Sequence, residues 1–229
     1  MKPSPREGEL VWEFFGRSAE GFFVEVGAND PEEGSQTWFL EQHGWRGILV
    51  EPLARFQAAL RARRPRSRII QVACGPPGCP PTADLYVGEN SEHSSLRRNA
   101  VDAGTRYVQT ETVRVMTLDE VLAEAGHPPL DFVSIDVEGL QIEVLKGFDL
   151  ARHRPRLLIV EDHLLNWETH LHLRRRAYQL VKRTQLNNWY VPRGTPFPLT
   201  NALERLRLWR KLWPGTPLRM LKAWMRRRR

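Results

Sequence analysis

The sequence predicts an α/β fold built on an open, mostly parallel β-sheet, and three observations support this class. Two apolar runs, Phe22–Val26 and residues 48–50, flank a segment compatible with a helix, which gives the order strand, turn, helix, strand. A glycine, Gly27, follows the first run directly, and an acid, Glu51, follows the second. Apolar runs separated by helix-compatible segments then continue to about residue 160, as expected for repeated βα units.

The remaining elements follow from periodicity and from helix stop signals. Helices are predicted at residues 10–15, 56–64, 118–125 and 141–146. Strands are predicted at residues 69–73, 84–87, 112–116, 131–135, 156–160, 178–183 and 188–191. The helix at 56–64 directs Ala and Leu inward and Arg outward and ends before Pro65. Thr117 caps the helix at 118–125. Strands 84–87 and 112–116 form an antiparallel excursion, and the last two strands form a hairpin.

The turn after the first strand predicts a site for an adenosine-containing cofactor. Ligands of open α/β sheets bind outside the carboxyl ends of the strands, where an acid after the second strand can accept hydrogen bonds from a ribose. Glu51 lies 24 residues beyond Gly27, close to the roughly 20 residues expected for that acid. The turn has neither a G-x-G-x-x-G pattern nor a Gly-Lys-Ser/Thr sequence, so pyrophosphate is disfavoured, whereas Glu25 favours a cationic ligand. The alternative is an ordinary turn after a buried strand.

An ordered set of motifs resembles the FkbM-type family of S-adenosylmethionine-dependent methyltransferases. The matching segments are residues 24–30, Ser35 with Thr37, and residues 40–41, 44–52, 117–119, 131–139 and 144–147. The resemblance spans about residues 21–192, with Pro31 at a position where many relatives carry glycine. It implies a Rossmann-like class I methyltransferase sheet with an antiparallel terminal hairpin, and S-adenosylmethionine as the cofactor. The cofactor contacts that it implies are Glu25, Gly27, Ala28, Asn29, Asp30, Ser35, Thr37, Glu51, Pro52, Ala73, Ser95, Asp136 and Val137.

Acidic residues and a histidine end two adjacent strands, at Asp136 and at Glu161-Asp162-His163. Crowded carboxylates repel one another unless protons or a cation lie among them, and hard oxygen ligands suit Mg²⁺ or Mn²⁺. Asp136, Glu161 and Asp162 are therefore candidate metal ligands, with hydrogen bonding to backbone, cofactor and substrate as the alternative. The predicted catalytic residues are His163, as the base that deprotonates a substrate hydroxyl, with Asp136 and Glu161. His93 is a second candidate base.

These features predict an O-methyltransferase that acts on a hydroxyl of a sugar, a glycolipid or a polyketide-like acceptor, either a small molecule or lipid-linked. The alternative is a non-catalytic or nucleic-acid-binding module with a vestigial cofactor pocket. The catalytic domain is predicted at residues 1–200, followed by a helical tail at 201–229.

The tail concentrates positive charge. Residues 201–229 contain ten Lys and Arg against one acid, a net charge of +9, whereas the whole chain has a net charge of +7. Two basic amphipathic helices with Trp residues are predicted there, a pattern typical of proteins that bind an anionic membrane surface. Packing on the body or on another subunit of a homo-oligomer is the alternative, and nucleic acid is disfavoured because no recognition fold is apparent.

The compartment is predicted to be the cytoplasm, with the protein peripheral at the inner face of the membrane. Residues 1–8 contain no apolar core of signal-peptide length. No run approaches the roughly 20 apolar residues of a spanning helix. Two cysteines, Cys74 and Cys79, do not form a disulfide framework, so reduced thiols are expected.

Overall fold

The fold is described from a computed structural model, which describes residues 6–90, 94–97, 106–162 and 167–227. The strands are β1 (Phe22–Val26), β2 (Arg46–Val50), β3 (Ser67–Ile70), β4 (Ala73–Cys74), β5 (Thr82–Gly88), β6 (Tyr107–Met116), β7 (Phe132–Ile135), β8 (Leu157–Glu161), β9 (Tyr178–Thr184) and β10 (Asn187–Pro192). The helices are α1 (Arg6–Phe14), α2 (Trp38–Gln42), α3 (Ala54–Arg63), α4 (Leu118–Glu124), α5 (Gln141–Lys146), α6 (Leu150–His153), α7 (Glu168–Arg175), α8 (Ala202–Leu212) and α9 (Gly215–Arg227).

The main sheet has seven strands in the order β3-β2-β1-β7-β8-β10-β9. Strands β3, β2, β1, β7 and β8 are parallel, and β10 pairs antiparallel with both β8 and β9. The order reverses between β1 and β7, so the carboxyl ends of these two strands flank the crevice where ligands bind in sheets of this type. The predicted α/β sheet and its antiparallel terminal hairpin are confirmed.

Two apolar layers enclose the sheet because successive strand residues point to opposite faces. In β1, Val24 packs in a cluster that includes Val144 of α5, whereas Phe23 packs in a second cluster with Trp45 and Leu60. All four residues of β7 are buried, as expected for a central strand covered on both faces. The parallel strands therefore hold their carboxyl ends in a fixed arrangement.

The predicted third strand at residues 69–73 is wrong as a single element. The chain bends after Ile70, where the N–H of Val72 donates to the Ile70 carbonyl at 3.1 Å. Residues before the bend pair with β2, and Ala73–Cys74 pairs with β6 in a second sheet of order β4-β6-β5. One apolar run thus contributes to two sheets, and the antiparallel pairing of β5 with β6 agrees with the prediction.

Local signals account for several element ends. Thr117 and Glu120 form a capping box at the start of α4, with the Thr117 hydroxyl accepting from the Glu120 N–H at 3.1 Å. Asn201 and Glu204 form the same arrangement at the start of α8. Such reciprocal bonds satisfy N–H groups that have no partner inside the helix.

The tail forms the two predicted helices, and their junction is anchored to the body. Leu212 is buried, and its carbonyl accepts a 3.1 Å hydrogen bond from the Trp167 indole. Trp213 packs edge-on against His170, with ring centroids 5.8 Å apart. Among the described helices, none combines the length and the apolar character that a membrane span requires.

Candidate active site

A cavity lies at the carboxyl ends of β1, β2, β7 and β8, next to the second sheet. Ten of the predicted site residues line it: Gly27, Ala28, Asn29, Glu51, Pro52, Ala73, Ser95, Asp136, Val137 and Glu161. These residues come from distant parts of the chain, and the parallel sheet brings them to one edge. The cavity is therefore the candidate active site.

The turn after β1 is held tightly between its neighbouring strands. The N–H groups of Gly27 and Ala28 both donate to the Val50 carbonyl, at 2.9 and 3.2 Å. Gly27 has a φ of +87°, and a Cβ added there would lie 1.8 Å from the backbone oxygen of Asp136. Only glycine fits between the two strand ends, because the turn requires both the left-handed conformation and this close approach.

Glu51 is buried at the end of β2 and points both of its oxygens at backbone donors. Oε2 accepts from the Asn29 N–H at 2.9 Å, and Oε1 accepts from the Leu53 N–H at 2.8 Å. Burial raises the pKa of Glu51 to about 7, although both of these bonds act to lower it. Each carboxylate oxygen retains a lone pair for a further donor, which suits the two adjacent hydroxyls of a ribose.

The rest of this part of the cavity also fits a nucleoside. Asn29 lines the cavity. Its side-chain oxygen is buried and has no hydrogen-bond partner among the described residues. Buried polar atoms normally have partners, so this oxygen can accept from a bound ligand. Leu53, Leu85 and Leu96 supply apolar surface on the side of the second sheet. The residues present thus fit S-adenosylmethionine, whose ribose Glu51 would bind.

Four predicted cofactor contacts lie outside the cavity lining: Glu25, Asp30, Ser35 and Thr37. The Glu25 carboxylate accepts from the Thr37 hydroxyl at 2.6 Å and from the Ser35 hydroxyl at 2.9 Å. It also accepts from the Gln36 N–H at 2.9 Å. Asp30 accepts from two backbone N–H groups of its own turn. The side chains of these four residues therefore shape the loop between β1 and α2.

Arg64 anchors this loop. The prediction that the arginines of the α3 segment face outward is wrong for this residue. Its side chain is fully buried, and its Nε donates to Glu41 at 2.7 Å. Its two terminal nitrogens donate to the Pro31 carbonyl, the Ser35 hydroxyl and the Thr37 hydroxyl, between 2.7 and 3.0 Å. The guanidinium is tolerated inside because its charge is paired and its donors find oxygen acceptors. No local pattern predicts this burial, because the partners lie 23 to 33 positions away in the sequence.

Three carboxyl groups converge at the other end of the cavity. One oxygen from each of Asp136, Glu138 and Glu161 lies within 4.8 Å of the other two. Burial, together with a hydrogen bond that the protonated Asp136 donates to Glu161 and the negative charges around it, raises the pKa of Asp136 well above its usual range. Like charges at this separation repel one another, so a proton or a cation among the three carboxyl groups would relieve the repulsion.

The composition of this cluster differs from the predicted ligand set. Glu138 takes part, whereas Asp162 is not a member. Glu138 has a φ of +48° and is followed by Gly139 at +87°, so the chain turns back toward the strand ends there. Residue spacing in the sequence does not predict this turn. The predicted bases, His163 and His93, lie outside the described residues.

The segment at residues 94–97 closes one side of the cavity. The backbone of Ser95 exchanges two 3.0 Å hydrogen bonds with that of Tyr86 in β5. The Ser95 hydroxyl donates to the Glu138 carbonyl at 3.2 Å. The second sheet is thereby connected to the acidic end of the site.

The strand order and the cavity at the switch point define a class I S-adenosylmethionine-dependent methyltransferase fold. The model of the methyltransferase FkbM domain matches residues 25–183. The chain belongs to this family, and it is a methyltransferase.

Solved structures of distant methyltransferases are similar in overall arrangement. A methyltransferase from Geobacter sulfurreducens has 13% sequence identity and a TM-score of 0.44, with 83% of this chain and 80% of that chain covered. An O-methyltransferase from Bacillus cereus in complex with SAH has 12% identity and a TM-score of 0.43, with 82% and 80% covered. No curated protein sequence matches the chain significantly.

Proposed function

We propose that the protein transfers the methyl group of S-adenosylmethionine to a hydroxyl of a sugar, a glycolipid or a polyketide-like acceptor. The observation that supports an oxygen acceptor is the carboxyl pair of Asp136 and Glu161 at the end of the cavity opposite Glu51. A hydroxyl is a weak nucleophile until it loses its proton, and carboxyl groups beside it can accept its hydrogen bond and orient it for that step.

The reaction balances as a displacement at carbon. The acceptor oxygen forms a bond to the methyl carbon, the bond from that carbon to sulfur breaks, and the hydroxyl proton passes to a protein base. The bound cofactor supplies an activated methyl group on a sulfonium. Glu51 would accept hydrogen bonds from the ribose, and the tight turn at Gly27 would position the cofactor beside the carboxyl groups. Positioning of this kind accounts for much of the rate of a bimolecular transfer.

His163, two positions after the end of β8, is proposed as the base. An unperturbed imidazole has a pKa near neutrality, so it accepts protons at physiological pH. His163→Ala is expected to retain affinity for S-adenosylhomocysteine and to lose methyl transfer by about a hundredfold or more. Glu161→Gln is the comparison, because Glu161 is the carboxylate paired with Asp136. If His163→Ala transfers methyl groups at the normal rate and Glu161→Gln does not, the carboxyl pair is the base.

A divalent cation is the other arrangement that relieves the repulsion among Asp136, Glu138 and Glu161. Carboxylate oxygens of these three residues would hold Mg²⁺ or Mn²⁺. Such an ion would lower the pKa of a bound hydroxyl. Methyl transfer measured after EDTA treatment and after return of each ion separates the two arrangements. Full activity in EDTA shows that the acids share protons, whereas loss with recovery in Mn²⁺ or Mg²⁺ shows a metal site.

The direct test of the proposed function is calorimetry with S-adenosylmethionine and S-adenosylhomocysteine, followed by incubation of the labelled cofactor with lipid and polar extracts. We expect heat with both ligands and label in a product that carries a methyl ether. Glu51→Gln should weaken both titrations. The absence of heat for either ligand would contradict cofactor use at this site.

We further propose that the tail holds the enzyme at an anionic membrane, on the cytoplasmic face. Eight of the nine exposed large apolar side chains of the described residues lie in α8 and α9: Leu203, Leu206, Trp209, Leu218, Met220, Leu221, Trp224 and Met225. Residues 201–229 also carry the net charge of +9. Each Lys or Arg near an anionic leaflet contributes about 1 kcal/mol, and exposed Trp side chains favour the interfacial layer.

Sedimentation with vesicles tests the attachment. The quadruple variant Leu206→Ser, Trp209→Ser, Leu221→Ser, Trp224→Ser is expected to stay in the supernatant with phosphatidylglycerol vesicles that sediment the parent protein. Val108→Ser is the control, because Val108 is exposed to 59% on β6, outside the tail. Equal sedimentation of the quadruple variant and the parent would refute attachment by this face.

A further inference from the structure

A cationic groove lies where α8 runs beside the edge strand β9. It has a volume of about 250 Å³. Its lining consists of Lys182, Arg183, Gln185, Thr200, Glu204, Arg207, Leu208 and Lys211. Four of these side chains are cationic and one is acidic. The groove is separate from the cofactor cavity, which shares none of these residues.

The one acid in the groove lining, Glu204, already has partners. Glu204 accepts from the Asn201 N–H at 2.9 Å as part of the helix cap, and its other oxygen lies 3.8 Å from Lys182. Lys182 also donates to the Leu199 carbonyl at 2.8 Å. Within the described part of the chain, Arg183, Arg207 and Lys211 make no ion pair with a carboxylate. Three cations thus converge on the groove without a matching charge at contact distance.

Two buried polar atoms of the groove lack hydrogen-bond partners among the described residues: the Nε of Arg183 and the hydroxyl oxygen of Thr200. Thr200 is 6% exposed. A buried donor without an acceptor loses its hydrogen bond to water and gains none, so such atoms normally have a partner. A hydroxyl can donate to an anion as well as accept, and the Arg183 N–H can only donate. Both atoms therefore suit one ligand with several acceptor oxygens.

The pKa shifts of two groove cations also favour the binding of an anion. Burial, and then the charges of Arg183 and Arg219, lower the pKa of Lys211. Burial also lowers the pKa of Arg183, although the charges of Asp162 and Glu161 favour its charged form. Arg183 and Lys211 are therefore partly desolvated and lie near other positive charges, and a bound anion would relieve both effects.

The groove lies close to the catalytic carboxyl groups. Thr184 of β9 is in register with Asn187 of β10, and Asn187 is in register with Glu161 of β8. Adjacent strands are about 4.8 Å apart, so two strand spacings put Thr184 roughly 10 Å from Glu161. One acceptor molecule can span this distance, with a hydroxyl at the carboxyl pair and an anionic group in the groove.

We propose that the groove between α8 and β9 binds a phosphate group of the methyl acceptor. This proposal rests on the proposed function and narrows the acceptor to hydroxyl compounds that carry a phosphomonoester or phosphodiester. The phosphate belongs either to a water-soluble compound, such as a phosphorylated sugar, or to a lipid-linked one. Arginine and lysine donors, together with the Thr200 hydroxyl, supply the hydrogen bonds that phosphate oxygens accept.

The test titrates the full-length protein with inorganic phosphate and with glycerol 3-phosphate, and sediments it with phosphatidylcholine vesicles that contain phosphatidic acid. The groove variant is Arg207→Gln, Lys211→Gln. Its matched control is Arg210→Gln, Lys222→Gln, which removes the same charge from exposed tail positions outside the groove lining. We expect the groove variant to weaken the binding of both soluble phosphates by about tenfold or more, and the control by less than about threefold. Affinity for S-adenosylhomocysteine should be unchanged in both.

Thr200→Val provides a second readout. Removal of an unpaired buried hydroxyl should leave thermal stability unchanged or higher, while phosphate binding becomes weaker. Phosphate binding that survives in both groove variants, or that falls equally in the control, would overturn the proposal. Binding only to the vesicles, with equal loss in both double variants, would assign the charge to the membrane instead. If the parent protein binds phosphate in the groove but transfers no methyl group to any hydroxyl compound, the proposed function is contradicted. The phosphate site in the groove would still stand.

Discussion

The buried guanidinium of Arg64 gives a prediction whose size can be worked from the structure. Arg64→Met preserves most of the side-chain volume and removes the charge. Glu41, which is 3% exposed, then loses its 2.7 Å ion pair, and its remaining donors among the described residues are the Arg66 N–H and the Ser67 hydroxyl. The loop that carries Ser35 and Thr37 loses three hydrogen bonds from the guanidinium.

Removal of one partner of a buried ion pair destabilises a protein by about 3–5 kcal/mol. For a domain of this size, each kcal/mol corresponds to roughly 2–4 °C in melting temperature. We therefore expect Arg64→Met to lower the melting temperature by about 6–20 °C, measured by calorimetry or by circular dichroism at neutral pH.

Arg63 is the matched control, one residue away. Its side chain is 59% exposed and forms a 3.2 Å ion pair with Glu32, which is itself 44% exposed. Exposed pairs contribute about 0–1 kcal/mol, so Arg63→Met should change stability little. The double variant Arg64→Met, Glu41→Gln should recover part of the loss, because the unpaired charge is also removed. If Arg64→Met and Arg63→Met unfold within about 1 kcal/mol of each other, the loop is not anchored as described.

Two further predictions concern the cofactor cavity. Gly27→Ala should destabilise the protein clearly more than Gly194→Ala in denaturant titrations. Both glycines have φ near +88°, but a Cβ at Gly27 would lie 1.8 Å from the Asp136 backbone oxygen, whereas a Cβ at Gly194 meets nothing within 4 Å. Equal effects would show that the backbone conformation alone matters. Affinity for S-adenosylhomocysteine should rise as the pH is raised through about 7, the pKa of Glu51. At pH 6 about a tenth of this carboxyl group is ionised, so the affinity should be roughly tenfold weaker than its plateau at high pH. In the cofactor-free protein the same raised pKa means that the native state binds more protons than the unfolded state between about 4.5 and 7, so this contribution to stability falls as pH rises over that window. Glu51→Gln should flatten both pH dependences, and calorimetry that shows unchanged slopes in this variant would assign them to another group.

Much of the fold could be predicted because its signals are local. The buried strands of the main sheet are short apolar runs, and the α4 cap is a Thr with a Glu three positions later. The turn at Gly27 and the acid at Glu51 are separated by one βα unit, so their meeting at the cavity follows from the parallel sheet.

The features that could not be predicted depend on contacts between distant segments. The bend after Ile70 is not encoded in the apolar run that contains it, because it is set by pairing of Ala73–Cys74 with β6. Burial of Arg64 depends on Glu41 and Thr37, more than 20 positions earlier. Glu138 joins the carboxyl cluster through a left-handed backbone conformation that residue type alone does not indicate.

The central claim is that the strand-end carboxyl groups and the cofactor cavity together methylate an oxygen atom. The most direct measurement is mass spectrometric and NMR identification of the product formed from ¹³C-methyl-labelled S-adenosylmethionine and cell extract. We predict a labelled methyl ether, formed by the parent protein and strongly reduced with Glu161→Gln. A label found on nitrogen, carbon or sulfur, or equal product with the variant, would contradict the account.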